Sequence, residues 1–228
     1  MLRSIQGIFM DSIKLWENNI LNLFRINLLF FSLLILINYF SALIAIQLSY
    51  VRSVQNLLLS IIVTPTFAYL FNGYIYFHIK KCRGASSSTT QLLRGYKGYF
   101  DSLLYYGFLI FLFFIFISPL KQENQFEGVM LLRLYGGAIF AIYIFCRSIF
   151  TLIFILDYNQ KFSEALKSSF TITNKQNINV LLITLFSLVI LFSGFFIFFI
   201  GILLTASPAM MVMILKFIRF EKLNYLGN

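Results

Sequence analysis

The sequence predicts an all-α, polytopic transmembrane bundle, a single integral membrane domain over residues 1–228, and three observations carry that expectation. The 228 residues are 60% hydrophobic and only 11% charged, whereas soluble domains run near half apolar and a quarter charged. Apolar runs recur at about the 17 to 25 residues that a helix needs to cross roughly 30 Å of hydrocarbon. The runs are continuous rather than alternating, which favours helices over a barrel despite 29 Phe and 13 Tyr.

The first element is amphipathic. Ile5, Ile8, Phe9, Ile13, Trp16 and Ile20 form one helical stripe, with Gln6, Asp11, Lys14, Glu17 and Asn18 mostly opposite, the pattern of a helix lying in the interface plane. About six spans are expected after it, at 26–46, 57–77, 103–120, 134–156, 180–199 and 202–218. Between the fourth and fifth, Phe162, Ala165, Leu166 and Phe170 share a face that Glu164, Lys167, Ser168 and Thr171 avoid, giving a second interfacial helix. From Val180 to Phe220 no charge occurs before Lys216. One straight helix of about 40 residues would reach roughly 60 Å, twice the hydrocarbon thickness, so a reversal is required. Gly201, after the aromatics Phe195, Phe196, Phe198 and Phe199, is the expected turn because glycine tolerates its backbone angles.

Lys and Arg set the orientation, since cytoplasmic flanks retain positive charge. Arg3, Lys14 and Arg25 precede the first span; Lys80, Lys81, Arg83, Arg94 and Lys97 follow the second; Lys161, Lys167 and Lys175 follow the fourth; Lys216, Arg219 and Lys222 close the chain. The opposite flanks hold only Arg52, Lys121 and Arg133. This asymmetry predicts a multi-pass protein with both termini in the cytoplasm and an even number of crossings. Cys82 beside basic residues and Cys146 within an apolar run read as reduced thiols rather than a disulfide, and no cleaved signal peptide is expected at the N-terminus.

A faint parallel internal repeat can be drawn, with units at 5–81 and 159–222, each an amphipathic helix, a span, and a span carrying proline, and chance likeness between apolar helices is the competing reading. The prolines follow Ile62-Val63-Thr64 at Pro65 and Thr205-Ala206-Ser207 at Pro208. Pro65, Gly201 and Pro208 are the expected helix breaks, with the hydroxyls of Thr64 and Ser207 near the carbonyls that proline frees.

The run Asp157-Tyr158-Asn159-Gln160-Lys161-Phe162-Ser163-Glu164-Ala165-Leu166-Lys167-Ser168-Ser169-Phe170-Thr171-Ile172-Thr173, followed by Gly194 and by Gly201-Ile202-Leu203-Leu204-Thr205-Ala206-Ser207-Pro208, resembles a signature of the YciC-like bacterial inner-membrane family. That family is related to the membrane domain found beside glycerophosphodiester phosphodiesterases. Pro65, Gly73 and the Lys81-Cys82-Arg83-Gly84 turn are similar to its first half. The two-residue Ala206-Ser207 spacer departs from the pattern, which has one residue between Thr and Pro. The resemblance implies about six helices in a bacterial inner (cytoplasmic) membrane and supplies no catalytic residues.

Arg147 is the most informative single residue. Ten residues before Asp157, it is expected roughly 15 Å from the cytoplasmic boundary, where an arginine costs at least about 2.5 kcal/mol and so faces protein or a wet cavity. Asn38 and Asn72 are candidate neutral acceptors for it, and Asp101 a charged candidate if the third span begins deeper than residue 103. Two readings stand: a site for an anionic substrate or lipid headgroup, or a structural arginine that snorkels or bonds between helices. Lys80, Lys81, Arg83, Arg94 and Lys97 suit anionic-lipid contact, and the same charges also set topology. His78 and Cys82, four residues apart, read as a surface pair, since two ligands make a poor metal site. The scattered charges lack any nucleic-acid recognition motif, and no carboxylate pair, zinc helix or Ser with a nearby His is evident. No catalytic, cofactor-binding or metal residues are therefore assigned. The expected role is non-enzymatic, acting through membrane lipids or other membrane proteins and not nucleic acid. The alternative is a small permease or exporter for an anionic or amphipathic substrate, with a polar pathway past Arg147, Asn38 and Asn72.

Overall fold

Few interior breakers interrupt the long apolar stretches, and they close into helices. The computed structural model describes residues 2–48, 52–95, 98–117, 127–174, 177–194 and 198–225, with no strand among them. In order these are α1 (Leu2–Glu17), α2 (Ile20–Leu48), α3 (Arg52–Cys82), a 3-10 turn (Thr89–Arg94), α4 (Tyr99–Ile117), α5 (Glu127–Ser148), α6 (Thr151–Tyr158), α7 (Phe162–Asn174), α8 (Asn177–Ser193) and α9 (Phe198–Tyr225). The element order amphipathic, apolar, proline-bearing occurs twice, as α1–α2–α3 and α7–α8–α9.

Large apolar side chains remain on the outside of these helices. Ile35, Tyr39 and Phe40 of α2, Ile139 and Ile142 of α5, and Leu185, Val189 and Phe192 of α8 are all exposed. Water-soluble monomers rarely leave apolar patches beyond a few hundred Å² uncovered, so hydrocarbon is the solvent for these faces and the chain is an all-α membrane protein. Three helical stretches are long and apolar enough to cross a bilayer: Ile20–Ile44, Ile139–Tyr158 and Gly201–Glu221. A fourth arises if α7 and α8, bent by 106° at their joint, count as one. By length and composition the described residues thus give three or four spans where six are expected. Asn72, His78 and Lys80 interrupt the apolar run in α3, α8 has only 17 residues, and 118–120, the far end of the expected third span, lies outside the described residues.

Each expected boundary that moved has a local cause. The fourth segment is not one helix, because α5 stops at Ser148 and α6 restarts at Thr151. Ser169 donates to the Arg147 carbonyl at 2.7 Å and Tyr105 to the Ser148 carbonyl at 3.0 Å, so side chains occupy acceptors that the helix ladder would use, a recognised cause of kinks. α8 ends at Ser193 and α9 begins at Phe198, ahead of the turn expected at Gly201. Gly201 lies inside α9, and its role is contact rather than torsion. A Cβ added there would sit 2.1 Å from the Gly194 carbonyl oxygen, and one added at Gly194 would sit 2.3 Å from the Thr205 hydroxyl. Pro65 and Pro208 are not breaks either, since both lie within continuous helices.

The buried centre is made by α3, α4, α6 and α9, where Ile75, Ile79, Tyr105, Phe150, Ile155, Ile214 and Phe217 form one cluster. Residues 151–156 of α6 are all buried, so protein rather than lipid surrounds this short helix. The chain after α3 doubles back on it. Gly84, at φ 73°, takes the left-handed conformation, and the amides of Gly84 and Ala85 bond the carbonyls of Lys81 and Lys80, a Schellman cap. Leu92 then buries completely against α2 and α3, and Gly73 and Gly95 allow backbone to meet backbone: a Cβ on either would lie within 2.1 Å of a carbonyl oxygen. The amphipathic helix α1 packs Ile8 against Ile183 of α8 and Val212 of α9, and Arg219 reaches back to Asp11.

Candidate functional site

Arg147 lies in the last turn of α5 and is 8% exposed. Its guanidinium donates to the Phe170 carbonyl at 2.7 Å, to Asn174 Oδ1 at 3.2 Å and to the Tyr143 hydroxyl at 3.1 Å, and it stands 5.0 Å from the centre of the Phe170 ring. Two of these acceptors belong to α7, the second amphipathic helix. Arg147 lies within the candidate span Ile139–Tyr158, and its side chain faces protein, at the C-terminal part of α7.

A cavity of about 340 Å³ opens beside this arginine. Ile139, Ile142 and Cys146 of α5 form one wall, and Ile178, Val180 and Leu181 of α8 form the other. Arg147, Tyr143 and Thr173 supply its polar groups. The Thr173 hydroxyl is already spent on the Ser169 carbonyl at 2.8 Å, which leaves the arginine as the charged feature of the wall.

The other two members of the expected polar pathway are elsewhere, so the three residues do not line one cavity. Asn38 is on an exposed face of α2 with its amide turned to the Leu34 carbonyl of its own helix. Asn72 is buried where α3, α4 and the doubled-back chain meet: it donates to Ser102 and to the Gly95 carbonyl, and accepts from Tyr106. Asp101 does not meet Arg147. Its Oδ1 accepts the Phe162 amide at 2.7 Å, supplying from α4 the cap that the first turn of α7 needs.

Sequence reasoning missed a second polar centre, formed by Asn27, Tyr74, His78 and Ser207. His78 is fully buried, contrary to the expected surface pair with Cys82, and Ser207 is fully buried with it. The His78 Nδ1 faces the Tyr74 carbonyl at 2.9 Å. A carbonyl only accepts, so Nδ1 carries the ring proton and Nε2, 2.9 Å from the Ser207 hydroxyl, accepts. The hydroxyl has one proton, so with that proton on Nε2 it only lies near Asn27 Oδ1, at 3.0 Å, and the hydrogen that Oδ1 accepts is that of Tyr74 at 2.7 Å; the Asn27 amide donates to the Leu203 carbonyl. A Ser does therefore have a nearby His, correcting the expectation, and its hydroxyl points into α2 and α3 instead of the carbonyl freed by Pro208. Fully enclosed, the pair acts as a bond between helices. The available signal was polar residues within apolar runs, with Tyr74 and His78 four apart on one face of α3.

The basic residues divide by role. Arg83 contacts Asp157 at 2.6 Å and Glu221 at 2.9 Å, and Tyr158 donates to Glu221, tying together the ends of α3, α6 and α9. Burial pulls the Arg83 guanidinium down, but the hydrogen bond to Tyr158 and the two carboxylates outweigh it and leave its pKa above the ordinary value. Arg83, an exposed residue, thus staples the helix ends together. Lys80 lies over the Tyr76 ring at 5.4 Å, Lys81 is half-buried, Arg94 is exposed, and Lys97 lies outside the described residues. No family model, curated protein or solved structure matches this chain.

Proposed function

We propose that this protein is a non-enzymatic component of a bacterial inner membrane, akin to the YciC-like family, that works through membrane lipids and neighbouring membrane proteins. Its working surface is a cytoplasmic cap built from α1, α7 and the ends of α3 and α9, with both termini on that side. One observation carries this reading. The polar side chains drawn inside, Asn27, Asn72, Tyr74, His78, Ser102 and Ser207, hydrogen-bond one another or nearby backbone, while cations such as Lys80, Lys81 and Arg94 gather at the end of α3 and in the segment after it. Buried polar groups satisfied in this way hold helices together; basic residues beside a membrane draw anionic headgroups or acidic partners.

The test is purification into nanodiscs directly from native membranes, comparing wild type with the K80E/K81E/R94E variant. A lipid class or protein enriched with wild type and lost from the variant is the expected result. Identical contents, or a reconstituted solute flux that the variant does not alter, would overturn it.

A further inference from the structure

We propose that the Lys216 ammonium and the first turn of α8 together form a site for a phosphate group, carried by a lipid headgroup or free in solution. Lys216 belongs to α9 and is only 4% exposed, yet among the described residues its ammonium meets no hydrogen-bond acceptor and no carboxylate. Its contact is the face of the Phe220 ring, 4.3 Å from the centroid. Two carboxylates at this end of the bundle are engaged elsewhere, Asp11 by Arg219 at 2.5 Å and Glu221 by Arg83 at 2.9 Å. A buried charge without a partner is costly, and a ring face offsets only part of that cost. An ionisable side chain inside an apolar span is therefore a candidate site.

The register of α8 against α9 aims this ammonium. Gly201 meets Gly194, the Thr205 hydroxyl bonds the Leu191 carbonyl at 3.3 Å, and Val212 packs with Ile183, so numbers rise along α9 as they fall along α8. Four residues beyond Val212, the same pairing sets Lys216 opposite Asn179, in the first turn of α8 (Asn177–Ser193). Gly201, Thr205, Val212 and Lys216, spaced by four, seven and four residues, share the face of α9 that meets α8. By lying over Phe220, one turn further on, the lysine reaches along α9 toward the level at which α8 begins. The amides of a first turn have no partner within their own helix and favour an oxyanion. One lysine and about half a charge from the helix terminus suit a phosphate group of one to two negative charges. Lys216 is five residues from Glu221, the end of the candidate span Gly201–Glu221, roughly 8 Å along the axis. The competing reading is a lysine that only snorkels toward that end.

The full chain in maltoside micelles tests this, with dioctanoyl phosphatidic acid, dioctanoylglycerol and inorganic phosphate as probes. Native mass spectrometry should show one phosphatidic acid retained in preference to dioctanoylglycerol, and bound phosphate should raise the Tm of wild type. K216M should weaken that preference at least about tenfold, the loss of a charge-assisted hydrogen bond. N177P removes one first-turn amide at a position where proline fits and should weaken it less. Without any probe, K216M should melt at or above the wild-type Tm, because methionine takes an uncompensated charge out of the interior, so its lost binding is not lost folding. A Tm rise with inorganic phosphate as well as phosphatidic acid assigns the site to phosphate from either source; a rise with phosphatidic acid alone assigns it to a lipid headgroup. Equal retention of phosphatidic acid and dioctanoylglycerol, or retention unchanged in K216M, would overturn the site. So would K216M melting well below wild type without a probe, which would leave Lys216 a snorkelling, structural residue. The site shares no residue with the Lys80, Lys81 and Arg94 surface, so K80E/K81E/R94E should bind as wild type does, and loss of the preference there would give the phosphate to that surface instead.

Discussion

Replacing Ser207 by alanine should destabilise the fold through His78 rather than through the serine itself. The hydroxyl gives His78 Nε2 its partner at 2.9 Å and also approaches Asn27 Oδ1 at 3.0 Å. When it is removed, Asn27 keeps the Tyr74 hydroxyl, but Nε2 is left without a partner on a ring with no exposed surface. An orphaned buried acceptor costs about 1 to 3 kcal/mol, whereas loss of an ordinary hydrogen bond costs about 0.5 to 1.5 kcal/mol net. S207A should therefore cost about 2 kcal/mol, or roughly 4 to 8 °C in Tm for a chain of this size. In an H78L background no acceptor is orphaned, and the same substitution should cost only about 1 kcal/mol. Far-ultraviolet circular dichroism during heating and SDS titration of wild type, both single variants and the double variant in micelles gives the coupling energy, expected near 1 kcal/mol. Equal costs of S207A with and without His78 would refute the account of the cluster as a mutually satisfied set.

Three further outcomes follow from other contacts. G201L drives a side chain into the Gly194 carbonyl, which a Cβ alone would approach to 2.1 Å; it should cost at least about 1 to 3 kcal/mol as an overpacked contact and loosen the α8–α9 hairpin, read as faster proteolysis or hydrogen exchange there. D101A removes the acceptor for the Phe162 amide and should cost about 1 kcal/mol, the value of a lost helix cap, with the change in hydrogen exchange confined to the first turn of α7. Burial pushes the Cys82 thiol up to about 12, and the thiolate is the reactive form, so maleimide labelling of Cys82 in a C146S chain should be slow at neutral pH, rise steadily as pH increases toward that value, and become fast at once when SDS unfolds the protein.

Helix, membrane and amphipathic elements were legible in the sequence because each depends on spacing along one chain. The stripe from Ile5 to Trp16 marks α1, the one from Phe162 to Phe170 marks α7, and both occur as separate helices. Arg147 was legible as unusual for the same reason, a charge in an apolar run. What it touches was not legible. The expected acceptors Asn38 and Asn72 lie in apolar runs like its own, yet Asn38 faces outward and Asn72 is used by α4. Gly201 was noticed and misread: a sequence shows that a side chain is missing, but only the opposing Gly194 shows that proximity, not torsion, requires it.

Taken alone, the order of residues determined that the chain is helical, that hydrocarbon solvates it, and which stretches are two-faced, since hydropathy and helical period are properties of a segment by itself. Tertiary structure alone decided that α5 stops at Ser148, that His78 meets Ser207 across 129 positions, and that Arg147 bonds Phe170 and Asn174 of α7. Those outcomes depend on which carbonyls and hydroxyls from distant helices arrive at the same place, and an apolar run carries the same local signal whichever neighbour it meets.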